Sequence, residues 1–70
     1  MANYIYMNKH ATCITIDGEN VSEYETFFKS NNLKYSEKNN VWYFPKERSE
    51  LINLIIKKIP NILVDETIYN

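Results

Sequence analysis

Apolar and polar residues alternate in Thr12-Cys13-Ile14-Thr15-Ile16. Successive side chains of a strand point to opposite faces, so Ile14 and Ile16 share one face and Cys13 and Thr15 the other. β-Branched residues fill the run, which favours a strand, and Asp17-Gly18 ends it with a turn signal. Upstream, Tyr4-Ile5-Tyr6-Met7 reads as a further short strand with Asn8-Lys9-His10 as the hairpin turn. One long N-terminal strand with a bulge is the alternative. After Gly18 the period changes. Val21, Tyr24, Phe27 and Phe28 recur at helical spacing. Ser22-Glu23-Tyr24-Glu25 has the form of a capping box, in which the Ser22 hydroxyl takes an orphan amide and Glu25 reaches back; Asn20 with Glu23 offers the same device two residues earlier. Ser30-Asn31-Asn32 stops this helix, because Asn tolerates the left-handed conformation of a C-terminal cap.

The second half repeats the alternation of strand and helix. Leu33-Lys34-Tyr35 and Val41-Trp42-Tyr43-Phe44 are two strands around Glu37-Lys38-Asn39-Asn40, a hairpin with a loop of four or five residues. Pro45 ends the second strand, since it has no N–H for the ladder. Ser49-Glu50 opens another helix, whose apolar stripe is Leu51, Ile52, Ile55, Ile56 and Ile59. Lys57 and Lys58 stand at the negative end of its dipole, and Pro60 terminates it. Ile62-Leu63-Val64 is a last strand, extending towards Tyr69. The order predicts an α+β fold, the ferredoxin-like split β-α-β arrangement (βαββαβ), with both helices on one face of an antiparallel sheet and an extra N-terminal strand accommodated in front. A looser α+β meander is the other arrangement consistent with this order. Residues 1–70 form one domain with no internal repeat. Trp42 and Phe44 are expected in the core with Ile55, which leaves Tyr43 on the open sheet face with Cys13, Thr15 and Tyr35.

Composition narrows the chemistry. The chain has one Gly and two Pro, so a Gly-rich phosphate loop is excluded. One cysteine, Cys13, allows no intrachain disulfide and no paired zinc ligands, and a lone thiol suits a reducing compartment. One histidine, His10, is too few for a histidine relay or metal site. His10 and Cys13 on one strand would point to opposite faces, which argues against a thiolate pair. Glu23/Glu25 and Asp65/Glu66 read as solvated charges at a helix start and a strand end. These features predict no enzyme, no cofactor, no metal and no catalytic residue. The start, Met-Ala-Asn-Tyr-Ile-Tyr, lacks the basic and apolar regions of a leader, and no apolar stretch is long enough to span a membrane, so an intracellular, cytoplasmic protein is expected. Asn, Ile, Lys and Tyr together supply 32 of the 70 residues. All four have AT-rich codons, which suits a low-GC bacterium, a phage or a large DNA virus.

Charge points towards binding. The formal net charge is -1, yet it is unevenly spread. Residues 1–25 carry Lys9 against Asp17, Glu19, Glu23 and Glu25. Residues 26–58 carry Lys29, Lys34, Lys38, Lys46, Arg48, Lys57 and Lys58 against Glu37, Glu47 and Glu50. A basic middle is what phosphate contact requires. Lys34, Lys38, Lys46 and Arg48 are the expected phosphate contacts, and Tyr35 and Tyr43 the expected platforms for unpaired bases.

The stretch Phe28-Lys29, Lys34-Tyr35, Asn40-Val41-Trp42-Tyr43-Phe44-Pro45-Lys46 and Leu51-Ile52 resembles small viral and phage modules that run from a helix through a lysine-aromatic step and a polar turn to Trp-aromatic-Phe-Pro-Lys and a second helix. It is similar to the HARP domain of annealing helicases over residues 21–58. The resemblance implies a non-catalytic module that touches branched or single-stranded DNA. The chain departs from that domain in its lower positive charge and in having no helicase motor attached. The expectation is a small non-catalytic binding module for nucleic acid; the alternative is a viral or phage protein that binds and inhibits a host defence protein. An open sheet face in so small a domain also suits a homodimer.

Overall fold

A computed structural model describes residues 4–69; Met1–Asn3, on which the leader-free start was read, and Asn70 lie outside the described residues. Five strands and two α-helices follow one another as β1 (Ile5–Lys9), β2 (Cys13–Gly18), α1 (Glu25–Ser30), β3 (Lys34–Ser36), β4 (Val41–Pro45), α2 (Glu50–Lys58) and β5 (Ile62–Val64). Short 3-10 turns precede α1 at Val21–Tyr24 and follow β5 at Glu66–Tyr69. The N-terminal strand is thus separate from the next, and the chain beyond Val64 coils instead of continuing the last strand.

The strands form one sheet in the order β3-β4-β2-β1-β5. β1/β2, β2/β4 and β3/β4 are antiparallel, whereas β1 and β5 run parallel. The sheet is therefore mixed, not purely antiparallel as expected. In the plain split arrangement the last strand pairs with the strand that precedes α1. Here β1 stands between them. It enters as the antiparallel hairpin partner of β2, so it runs in the direction of β5, and the outer pair becomes parallel.

Alternation along the strands buries Ile5 and Met7, Ile14 and Ile16, and Trp42 and Phe44. Cross-strand register places Met7, Ile16 and Trp42 in one row, and Ile14 and Phe44 in the next. Phe28 from α1 and Leu51, Ile55 and Ile59 around α2 complete the same cluster, so both helices cover one face. They are neighbours there, with the Lys58 ammonium 5.6 Å from the centre of the Phe27 ring. Trp42 packs between Phe28, at 5.3 Å between ring centres, and Tyr35, at 5.1 Å. Trp42 and Ile55 are both buried, as expected.

The capping box expected at Ser22 is not formed. No side chain caps either the 3-10 turn or α1. Glu25 is the first residue of α1 instead of its third, because Val21–Tyr24 enters the helix through the tighter 3-10 geometry. The other end follows the expected chemistry. Asn32 is left-handed, with φ 63°. The Leu33 N–H donates to the Phe28 carbonyl at 3.0 Å and the Asn32 N–H to that of Lys29 at 3.1 Å. These two bonds, with Leu33 and Phe28 both buried, make a Schellman cap that seals the helix and turns the chain into β3. Gly18, with φ 148°, is held where a Cβ would meet the Tyr4 carbonyl oxygen at 2.5 Å.

Asp65 fastens the other edge of the sheet. Its carboxylate accepts the Thr67 N–H at 3.1 Å and the Lys9 N–H at 3.3 Å, and its own N–H donates to the Met7 carbonyl at 2.8 Å. The Thr67 amide, then the Lys9 amide, hold the Asp65 pKa below its ordinary value of 3.8. A depressed folded-state pKa contributes stability above the unfolded value and loses it as pH falls through the folded one.

Two outcomes are expected in urea denaturation. Asn32→Gly should leave stability close to wild type, whereas Asn32→Val should cost about 1–2 kcal/mol, the strain of an L-residue in the left-handed region. Asp65→Asn should be less stable than wild type at pH 6, and the gap should close as the pH falls below 3.8 and through the depressed value.

Candidate functional site

With the helices on one face, the other face of the sheet is made of the intervening residues. Lys34 opposes Tyr43, Tyr43 opposes Thr15, and Thr15 opposes Asn8, giving one row across four strands. Asp17 opposes Tyr6, and Tyr6 opposes Leu63, giving a second row beside it. Val41 and Cys13 belong to the same face by alternation. Tyr6 and Leu63 are well exposed, at 43% and 46%, while Thr15, Asp17, Val41 and Tyr43 are half-buried.

The hairpin between β1 and β2 brings His10 onto this face. Its N–H donates to the Cys13 carbonyl at 2.8 Å, and its Nε2 lies 2.9 Å from the Thr15 hydroxyl. Positions 10 and 13 therefore do not share a strand, and the expectation that they point to opposite faces of one does not apply. A turn intervenes, and the imidazole is paired with Thr15.

Of the residues expected to bind, Tyr43 and Lys34 are brought together as direct cross-strand neighbours on the open face. Lys38 is exposed in the loop of the same hairpin. Tyr35 is not on that face. It opposes Trp42, and register places it on the helix side with its ring against the indole. The one large residue of a three-residue strand has followed its partner's parity. Lys46 is exposed but follows β4, at the opposite end of that strand from Lys38. Arg48 is already engaged. Its guanidinium donates to the Asn31 carbonyl at 3.0 Å, at the C-terminal end of α1, and its Nε lies 3.4 Å from the Glu50 carboxylate.

Two hollows were not foreseen. One, of about 390 Å³, lies on the helix side between α1 and the β3 edge; Tyr35, Trp42 and Val21 line it, with the exposed Lys29–Glu25 ion pair at 2.9 Å also in its lining. The other, of about 400 Å³, is on the open face and is lined by Asn8, His10, Thr15, Asp17, Asn39 and Val41. Its polar residues are scattered over two strands and two loops, so no local motif announces it. Among the described residues, no group of three or more His, Cys, Asp or Glu is placed to hold a metal ion, and no helix is long and apolar enough to cross a membrane. Compared with models of protein families, with curated proteins and with solved structures, the chain matches none.

The engaged guanidinium has a measurable consequence. Arg48→Ala should lower the urea midpoint by an amount equivalent to about 1 kcal/mol, the scale of one half-exposed hydrogen bond at a helix end. Equal stability of wild type and variant would show that the bond to Asn31 contributes nothing.

Proposed function

We propose that the chain is a non-catalytic binding module whose open sheet face takes a single-stranded nucleic acid. The observation that carries this reading is the cross-strand pair of Tyr43 and Lys34, an aromatic ring beside a cation on the β3–β4 side of an uncovered sheet face. A tyrosine ring stacks an unpaired base regardless of its identity, and an adjacent ammonium neutralises the phosphate that follows. Tyr6, two strands away on the same face, supplies a second ring. Lys38 extends the cationic side along the hairpin loop. The resemblance of residues 21–58 to the HARP domain points in the same direction, since that stretch contains the β3–β4 hairpin. The same reading takes the sheet as a ferredoxin-like arrangement enlarged by one strand: without β1, its order would be β3-β4-β2-β5.

A protein partner is the second reading, and one observation favours it. Leu63 is exposed beside Tyr6 at the β1–β5 side of the face, and its aliphatic side chain, which offers a base no ring to stack on, extends the apolar surface beyond what a nucleic acid uses. A host protein bound by a viral or phage inhibitor, or a second copy of the chain, would cover such a surface.

Binding of a labelled single-stranded oligonucleotide, followed against salt, tests the preferred reading. Lys34 and Lys38 as the phosphate contacts give a log–log slope of about -1.4, at about -0.7 per phosphate. Lys34→Glu with Lys38→Glu should abolish binding, and Tyr43→Ala should weaken it by about 1–3 kcal/mol. Lys46→Glu should change little. No salt-sensitive binding to DNA or RNA at about 50 mM salt, where counterion release is most favourable, would reject the nucleic-acid reading and favour a protein partner.

A further inference from the structure

The hollow on the open face contains a feature that phosphate binding does not explain. Asp17 stands in the middle of the surface, half-buried, where a carboxylate repels a phosphate backbone. Around it are two amides, Asn8 from β1 and Asn39 from the β3–β4 loop, and the His10–Thr15 pair. Asp17 is the one carboxylate in the lining, which leaves a hard cation little compensating charge. Tyr6 is the direct cross-strand neighbour of Asp17 on β1, and Tyr43 that of Thr15 on β4, so each tyrosine stands next in register to a residue that lines the hollow. A volume of about 400 Å³ lies within the range of small-molecule sites.

We infer that this hollow is a guanine subsite, in which the Asp17 carboxylate accepts the two parallel N–H groups of the Watson–Crick edge. The inference rests on the nucleic-acid reading above and adds base selectivity to it. An ionised carboxylate only accepts hydrogen bonds. Guanine presents two adjacent donors, N1–H and N2–H, which match its two oxygens. Adenine and cytosine each present one donor beside a ring acceptor, and that acceptor faces the second carboxylate oxygen unfavourably. Uracil and thymine present a single N–H between two carbonyls. The guanine O6 then needs a donor, which the amide of Asn8 or Asn39 supplies. Tyr6 and Tyr43, on the strands either side of β2, are the rings on which neighbouring bases of the strand would stack.

Fluorescence anisotropy with labelled d(TTG)3, d(TTA)3, d(TTC)3 and an oligo-dT of equal length separates this inference from the reading beneath it. The wild-type protein should bind d(TTG)3 about tenfold more tightly than the other three, the scale of one bidentate base contact. Asp17→Asn should remove that preference without weakening oligo-dT binding, which loss of the repelling charge can only strengthen, with unchanged Trp fluorescence as the check of folding. Asn39→Ala, in an exposed loop, should reduce the same preference and serves if the Asp17 variant does not fold. Equal binding of all four oligonucleotides by the wild type overturns the guanine subsite and leaves nucleic-acid binding standing. Binding of none overturns both.

Discussion

The burial of Trp42 is the constraint on which the rest of the molecule depends. Its indole packs against Phe28 on one side and Tyr35 on another and stands across the sheet from Ile16. It thereby joins α1, β2, β3 and β4 at one point. Since strand side chains alternate, placing Trp42 and Phe44 in the core sends Val41 and Tyr43 to the opposite face without further choice. The arrangement of the open face is thus a corollary of the core: Tyr43 is available to a ligand because Trp42 is not.

Much of this was legible from period alone. The strands and helices could be located because β-branched alternation and helical spacing are local signals, and Asn32, Pro45 and the four-residue loop mark ends with backbone chemistry that acts within a few residues. What stayed hidden needs information from elsewhere in the chain. Lys34-Tyr35-Ser36 has a single large residue and no alternation of its own, so its parity comes entirely from register against β4. A shift of one residue would exchange its faces. The position of β1 between β2 and β5 is likewise a tertiary choice, which no property of Ile5–Lys9 announces. Ser22 illustrates competition of another kind. The residues of a capping box are present, yet the chain enters the helix through a 3-10 turn and leaves the side chain without that bond.

The candidate site divides along the same line. Tyr43 and Lys34 were each legible as candidate contacts, but their pairing across the hairpin depends on a loop of four residues and not five. Arg48 was not foreseeable as a bonded residue, because its acceptor, the Asn31 carbonyl, lies 17 positions away and belongs to a helix end. Basic charge in the sequence therefore overstated the cations available to a ligand. The polar hollow around Asp17 was invisible for a related reason. Asn8, His10, Thr15, Asp17 and Asn39 are individually ordinary turn and strand residues, and only the β1–β2–β4 register and the loop bring them round one space.

The insertion of β1 also governs how the chain reaches this state. Ile5 pairs with Ile62, so the parallel β1–β5 ladder joins residues 57 positions apart. Closing a loop of that length costs about 3.6 kcal/mol in chain entropy before any contact offsets it, by the logarithmic length dependence. The antiparallel hairpins close far shorter loops and can form without β5. During synthesis the first strand therefore emerges with one of its two edges unsatisfied, and that edge waits for residues made 57 positions later. Docking of the three-residue β5 is therefore a long-range step that follows the local hairpins. The first and last strands of the sheet thus act as a latch, so that β1 gains its second partner only once Ile62–Val64 has been made.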